Sequence, residues 1–463
     1  MIRLFRISMP VSVVGLLVSE AVLAFCCYLA AWALVGDVDV QFYLLFESGG
    51  EKILLVVASI LLGAYFNDLY SEVKVASRLR LAQQYCLVIG MAFLTQALLS
   101  YVYPDLIVGR WQMMVGSALG LVLLPGWRSL FSMLVLQVWY REKVLFVGAN
   151  SLVLTLARTF HKEPQLAMTS LGYLAEEPLE GDFPGLGPWL GKPRDILEVH
   201  AQQKPDRIVV GLNERRGQMP VNELLSLRLS GRVVEFAAAM YERITWRVSV
   251  EALRPSHLIF SHELGPNPRN LALQRVYSFV VALVGVVITA PVMLGVWLAV
   301  RLTSPGAAVY SQRRVGLNGK EFNVMKFRSM YIDAEARTGA VWAQKNDPRI
   351  TPVGRWLRKL RLDELPQFFN VLKGEMSIVG PRPERPEFVR VLSEQIPFYG
   401  QRHTILPGIT GWAQINHKYG DTLEDTVTKL EYDLYYLKNV GPSLDLYVIF
   451  HTVKVMLLSR GSQ

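Results

Sequence analysis

Long runs of apolar side chains constrain this chain more than any other feature, because backbone inside lipid must satisfy its own hydrogen bonds and is therefore helical or closed into a barrel. Four such runs fill the first 140 residues: roughly Val11 to Val35, Ile53 to Phe66, Leu81 to Tyr103 and Met113 to Tyr140. About 20 apolar residues cross a bilayer. The second run is short and the fourth is interrupted by Pro125 and Arg128, so their limits stay open. A soluble bundle is the alternative, but helices apolar on all faces would need a very large core to hide in. Composition points the same way, with 51% hydrophobic and only 19% charged residues, against roughly 25% charged in soluble chains. Met1 to Arg6 ahead of the first run looks like a secretory leader, yet no small-residue cleavage site follows and further apolar runs do; it reads as a retained first span.

Flanking charge orients these spans. Arg3 and Arg6 precede the first, Lys74, Arg78 and Arg80 lie between the second and third, and Arg141 and Lys143 follow the fourth. The other connections carry Asp37, Asp39, Glu47, Glu51 and Asp105, with only Lys52 and Arg110 as cations. Positive charge stays on the cytoplasmic side, so both ends of a four-helix transmembrane bundle, residues 1–140, face the cytoplasm. The three cysteines, Cys26, Cys27 and Cys86, all lie in apolar runs and offer neither a disulfide framework nor a metal-ligand spacing.

From Glu142 the texture becomes soluble α/β. The run KVLFVGAN (Lys143 to Asn150) reads as a strand ending in glycine, then a helix, then a strand at DRIVVGLNE (Asp206 to Glu214), a helix from Val221 to Leu229, and a strand at RVVEFAA. Strands alternating with helices imply a parallel, Rossmann-like sheet over residues 141–262. A dinucleotide loop needs glycine at three positions so that a pyrophosphate can approach the helix start. Only Gly148 is in place; Asn150 and Leu152 stand where the later glycines would be. NAD is therefore disfavoured, and another nucleotide, a regulatory ligand or a purely structural role stay open for this domain.

A linker rich in Pro, His and Asn (Arg254 to Asn270) marks the next boundary. The spacing of its His257 and His262 fits no metal motif. A fifth apolar run follows, Val276 to Val300, and both of its flanks are basic: Arg243, Arg247, Arg254, Arg269 and Arg275 before, Arg301, Arg313, Arg314, Lys320, Lys326 and Arg328 after. Both flanks read as cytoplasmic, and Pro291 near the middle removes a backbone hydrogen bond, predicting a kink or break. The run is thus expected to be a re-entrant helix at about 275–303 within a domain spanning 263–463. Beyond it, Asn318-Gly319 predicts a hairpin, and Thr351-Pro352 a helix start. Asp363 reads as a second cap, for a helix from Glu364 to Leu372 with Pro366 in its first turn, where the helix dipole would favour an ionised carboxylate. The last apolar stretch, SLDLYVIFHTVKVMLLSR, suits either the membrane interface or a packed helix.

Within this domain, adjacent carboxylates Asp363 and Glu364 stand among Arg355, Arg358, Lys359, Arg361, Arg382 and Arg385. Such pairs persist together where cations or a metal offset their repulsion. Arginine clusters match phosphate geometry, and phosphoryl transfer needs little beyond positioning, charge and a divalent cation on carboxylate. A carboxylate can also act as nucleophile through an acyl phosphate. The net charge of +9 does not by itself choose among nucleic acid, anionic lipid and phosphorylated substrates. Nucleic acid is set aside because repeated basic and aromatic residues are missing around the pair.

The stretch TPVGRWLRKLRLDELPQFFNVLKGEMSIVGPRPE, with SPGAAVYSQRRVGLNGKEFNVMKFRSM upstream and QRHTILPGITGWAQI downstream, resembles the bacterial sugar transferases that act on polyprenyl phosphate, the large monotopic phosphoglycosyl transferases. The resemblance implies an α plus α/β membrane protein of the bacterial inner membrane with its catalytic domain on the cytoplasmic face. It implies transfer of sugar 1-phosphate from a UDP-sugar to undecaprenyl phosphate, with UMP released, to start an exopolysaccharide or O-antigen repeat. By it Asp363 is the nucleophile and the seat of Mg2+, Glu364 assists, and Arg382, Arg358, Arg361, Lys326 and Arg328 hold phosphate. Some smaller members carry Ser before the helix-breaking proline, where Ala290 stands here. Membrane lipids are expected partners, and a homodimer through the middle domain is expected from the layout. Two alternatives are weighed against this reading: a non-catalytic membrane regulator of polysaccharide assembly with a nucleotide-sensing middle domain, which an intact Asp-Glu pair beside Arg382 disfavours, and an NAD-dependent sugar-nucleotide dehydratase, which the incomplete glycine loop disfavours.

Overall fold

The computed structural model describes residues 2–4, 7–36, 39–70, 77–137, 141–212, 219–253, 267–332, 334, 347–417 and 422–457. They form two compact units, essentially residues 8–240 and 241–463.

The first unit begins with the helices Val11–Val35, Gly49–Phe66, Arg78–Ser100 and Arg110–Gln137. Among the described residues five helices are long and apolar enough to cross a membrane, these four and Pro268–Thr303. The second, third and fourth start a few residues before the apolar runs do, since polar residues form their first turns. Ser77, for example, accepts a hydrogen bond from the Arg80 amide at 3.4 Å. Pro125 lies inside the fourth helix without ending it. Arg128 does not interrupt that helix either: its Nη1 meets Glu20 Oε1 of the first helix at 2.9 Å, and both side chains are buried. Tyr85 and Tyr70 donate to the same carboxylate at 2.6 and 2.7 Å. A charge in an apolar bundle is tolerated when it is paired and hydrogen-bonded in this way, and the cluster ties the helices together.

Residues 142–236 build a five-stranded parallel sheet in the order 189–191, 168–174, 142–147, 207–210, 233–236. The first strand in sequence is central, and the chain winds outward from it in both directions. Gly148 follows that strand at φ +96°, and a Cβ there would lie 2.8 Å from both the Gly211 carbonyl carbon and the Leu212 amide. Two loops therefore meet at the point where such a sheet would otherwise open a crevice. The Asn150 side chain accepts from the Val153 amide at 3.0 Å and caps the helix Ser151–Lys162. A capping side chain occupies the place where a dinucleotide loop needs glycine.

The second unit opens at Tyr241, so residues 241–253, read from sequence as part of the middle domain, belong to the core of the C-terminal one. Tyr241 OH donates to Glu431 at 2.9 Å, the Val250 amide to the same carboxylate at 3.1 Å, and Trp412 Nε1 to the Trp246 carbonyl at 3.1 Å. The linker histidines His257 and His262 lie outside the described residues.

The fifth apolar run forms one continuous helix, Pro268–Thr303, that passes through Pro291. Of the kink or break expected at Pro291, the break does not occur, and the helix begins seven residues ahead of the expected start at 275. Packing explains its persistence: one face is buried against its own unit along nearly the whole length. Gln274, Ser278, Ala282, Met293, Val296 and Val300 are the buried positions. Mid-helix, a Cβ at Gly285 would lie 3.0 Å from the Phe368 ring. At the start, Gln274 Nε2 reaches Asp445 at 2.7 Å, Tyr436 OH at 2.6 Å and the Val379 carbonyl at 3.3 Å. Ser278 Oγ pairs with Ser377 Oγ at 3.0 Å. The other face is apolar and exposed, with Val287, Ile288, Leu294 and Leu302 more than half exposed.

The hairpin Val309–Val315 with Glu321–Phe327 turns at Asn318-Gly319 as the sequence predicts. Thr351 caps the helix Pro352–Lys359 through a 2.9 Å bond from the Gly354 amide. A two-stranded parallel pair, Ser377–Val379 with Gly408–Thr410, and the helices Leu423–Asn439 and Pro442–Leu457 complete the core around Trp412 and Tyr436. The last helix buries Leu444, Asp445 and Val448 in that core, which favours the packed reading of the terminal apolar stretch.

Candidate active site

Asp363 and Glu364 sit in a single 3₁₀ turn, Leu362–Glu364, entered through Arg361 in the left-handed region at φ 54°. The expected cap is not formed. The amides of Glu364, Leu365, Phe368 and Phe369 bond to carbonyls three residues back and Pro366 has no amide, so the helix proper runs from Gln367 to Leu372. Asp363 thus owes its environment to burial and neighbouring charges and not to a helix dipole.

Four elements deliver those charges. Strand Glu321–Phe327 brings Lys326, whose Nζ lies 3.0 Å from Glu364 Oε1. The turn after strand Ser377–Val379 brings Arg382, whose Nη2 lies 3.0 Å from the same oxygen. Arg361 stands 3.8 Å from Glu364 Oε2. Arg358, in the last turn of Pro352–Lys359, acts on Asp363 through space. Burial, then the Glu364 carboxylate, push the Asp363 carboxyl above its ordinary range, against the pull of Lys326, Arg358 and Arg382. Burial also works against the ionised form of Glu364, but Lys326, Arg382 and Arg361 outweigh it and hold that carboxyl well below its usual range. A proton on the pair therefore resides on Asp363, and Glu364 is the fixed anion that organises the cations. Among the described residues none donates a hydrogen bond to the Asp363 carboxylate. Four cations around two carboxylates leave surplus positive charge for an anionic substrate.

Arg328 has a different place. Its guanidinium is 8% exposed and donates to the Ser304 carbonyl and hydroxyl, at 2.9 and 2.8 Å, and to the Pro305 carbonyl, fastening the C-terminal end of the long helix. The expected phosphate contact is replaced by a structural one. The strand ends at Phe327, so Arg328 lies just beyond it and is held at the helix end, apart from Lys326, which meets the carboxylates from within the strand.

Several residues that shape the site carry no sequence signal of their own. Asn370, fully buried, accepts from the Met325 amide at 2.9 Å and donates to the Asn323 carbonyl at 2.7 Å, which locks the Lys326 strand to the helix that follows the dyad. Leu362 and Leu365 pack against the apolar cluster that includes Met293, Val296 and Val300 of the long helix, which links the carboxylate turn to that helix. Among the described residues no group of three or more His, Cys, Asp or Glu is arranged to hold a metal ion. The donor set that is present, one or two hard carboxylate oxygens next to cations suited to phosphate, fits Mg2+, which keeps several waters and binds through one or two carboxylates plus substrate phosphates.

Residues 269–459 match the model of a family described as bacterial sugar transferase. The chain is 34% identical over 315 residues to the UDP-glucose:undecaprenyl-phosphate glucose-1-phosphate transferase of Klebsiella pneumoniae, covering 68% of this chain and 67% of that protein. It is 42% identical over 222 residues to the UDP-N-acetylgalactosamine-undecaprenyl-phosphate N-acetylgalactosaminephosphotransferase of Aeromonas hydrophila, covering 48% and 52%. It is 40% identical over 197 residues to the exopolysaccharide production protein PSS of Rhizobium leguminosarum bv. phaseoli, covering 42% of this chain and 98% of that protein. The chain thus spans about half of the Aeromonas relative and two thirds of the Klebsiella one.

Proposed function

The chain belongs to the bacterial sugar transferase family, and from that membership we propose that it transfers sugar 1-phosphate from a UDP-sugar to undecaprenyl phosphate. The observation that carries the reading is the division of the acidic pair: Glu364 is tied to three cations, while Asp363 is buried beside it with no hydrogen-bond donor among the described residues. A weakly solvated carboxylate is a strong nucleophile once ionised. The Asp363 carboxylate attacks the β-phosphorus of the UDP-sugar, the bond to the bridging oxygen breaks, and UMP departs. The sugar 1-phosphate is left on Asp363 as an acyl phosphate. A phosphate oxygen of undecaprenyl phosphate then attacks the same phosphorus and restores the free carboxylate, giving the lipid-linked sugar diphosphate. Lys326, Arg382, Arg358 and Arg361 supply the positive field in which the phosphates bind and charge develops. Mg2+, when bound at Asp363, would neutralise diphosphate charge and favour the ionised carboxylate.

The acceptor is a lipid, and the long helix supports that. At about 1.5 Å per residue its 36 residues measure about 54 Å, well beyond the roughly 30 Å of hydrocarbon. It keeps one face on its own unit from Gln274 to Val300 while the other face is apolar and exposed. A helix that crossed the membrane steeply would drag that unit through the bilayer. A shallow, re-entrant path with both ends on the cytoplasmic side of the inner membrane avoids this and places the carboxylate turn at lipid-phosphate depth. Single cysteines at Ala272 and Ser304 should both be labelled from the cytoplasmic side; labelling from opposite sides would refute the re-entrant path.

A homodimer through the middle domain completes the proposal. Val221, Leu225 and Leu229 form an exposed stripe on one helix beside the exposed Phe236 of the edge strand, a surface suited to a second copy.

A further inference from the structure

The turn that carries Arg382 contains two prolines, Pro381 and Pro383, and so has few amides of its own with which to fix its shape. Its carbonyls are held from outside instead. Val379 O accepts from Gln274 Nε2 and Tyr436 OH, Pro381 O from the Gly408 amide at 3.0 Å, Arg382 O from Arg402 Nη2 at 3.0 Å, Pro383 O from Arg314 Nη1 at 3.1 Å, and Glu384 O from the Val315 amide at 2.9 Å. The turn is also closely backed: a Cβ at Gly408 would lie 2.1 Å from the Gly380 amide nitrogen.

Arg402 differs from the other donors. Its side chain is 7% exposed, its Nη1 donates to Tyr399 OH at 2.8 Å, and its Nη2 lies 2.8 Å from Asp433 Oδ2, itself 2% exposed on helix Leu423–Asn439. That contact is an ion pair with an angle outside the hydrogen-bond range. Nη2 is directed to the Arg382 carbonyl. A buried guanidinium with a buried counter-charge cannot drift without leaving charge unpaired, so it is a stiff support. It grips the backbone of the residue whose guanidinium meets Glu364 at 3.0 Å.

We propose that Arg402 and Asp433 are positioning residues: together they fix the backbone of Arg382 so that its guanidinium stays at Glu364 and presents its remaining donors to a phosphate oxygen of the substrate. The inference rests on the proposed function, in which Arg382 holds phosphate. Burial raises the Asp433 carboxyl to about 6 against the pull of Arg402, so at neutral pH it is mostly ionised and serves as the counter-charge.

The test is a cycle of four full-length proteins in membranes: wild type, Arg402→Lys, Arg382→Ala and the double variant, each measured for kcat/KM by UMP release and for thermal unfolding. Arg402→Lys keeps the charge but loses the fork that reaches Asp433, Tyr399 and the Arg382 carbonyl together. Residues in one network couple strongly, so Arg402→Lys should lower kcat/KM about tenfold or more in the wild-type background and less than about twofold once Arg382 is alanine. Equal losses in both backgrounds would mean that Arg402 acts on the fold in general, and they overturn the inference while leaving the transferase reading intact; so does wild-type kcat/KM in Arg402→Lys. Absence of UMP release from wild type overturns both. Should Arg402→Lys not fold, Asp433→Asn takes its place in the cycle with the same expectations, since Asp433 is the buried counter-charge paired with Arg402.

Discussion

Asp363→Asn should lower turnover by about 10⁴-fold or more, on the scale seen when a covalent nucleophile is removed, while leaving the protein folded. The amide has nearly the volume of the carboxylate. Burial and Glu364 already favour an uncharged Asp363, so the substitution relieves an electrostatic conflict at that position. Thermal unfolding in the variant should therefore match or exceed wild type, and loss of activity with retained stability is the signature of a residue used for bond making. Turnover within about tenfold of wild type would exclude Asp363 as nucleophile.

Glu364→Gln should cost about 10²- to 10³-fold, the range for losing one charged element of a preorganised site. The cause differs from that at Asp363. Glu364 is the common anion for Lys326, Arg382 and Arg361, two of them at 3.0 Å from one oxygen. Neutralising it leaves three cations without a shared counter-charge, and they separate from one another and from the geometry that receives phosphate. Stability should fall along with activity, in contrast to Asp363→Asn. Because Glu364 also repels charge on Asp363, Glu364→Gln makes Asp363 easier to ionise. Part of the loss should therefore be recovered by Glu364→Asp and none by a change of buffer toward higher pH. A Glu364→Gln variant with wild-type kcat would remove Glu364 from the mechanism.

These contrasting expectations also show which parts of the molecule are legible in the sequence. The spans are, since apolar runs of 20 residues have few other fates, and Val11–Val35 falls where the run does. The alternation in residues 142–236 foretells the parallel strands, and Asn318-Gly319 the hairpin. The dyad and the cations Lys326, Arg358, Arg361 and Arg382 are legible as a cluster because the long motif names them together, and the chain does bring them around one turn.

What is not legible depends on neighbours distant in sequence. A proline in an apolar run predicts a kink or a break, and packing of Gly285 on Phe368 and of Val296 and Val300 in the cluster with Phe327 and Leu357 carries the helix through Pro291 without a break. Arg128 looks like an interruption until Glu20, 108 residues away, is found opposite it. Asp363 looks like a cap because capping rules know the residue and not the competing 3₁₀ bonds. Lys326 and Arg328 look alike two residues apart, but the strand ends between them, so Lys326 meets the carboxylates while Arg328 reaches Ser304. Asn370, Arg402 and Asp433 are silent for the same reason: a buried polar residue declares its role only when its partners are known.

The most direct measurement uses the purified protein with Mg2+ and a UDP-sugar, in the absence of undecaprenyl phosphate, and follows UMP on rapid mixing. A burst of UMP approaching one equivalent per active site is expected, matched by a sugar 1-phosphate adduct on the peptide containing Asp363, discharged when undecaprenyl phosphate is added, and absent from Asp363→Asn. UMP formed only when undecaprenyl phosphate is present, with no adduct on Asp363, would contradict it and point to direct transfer between the two substrates.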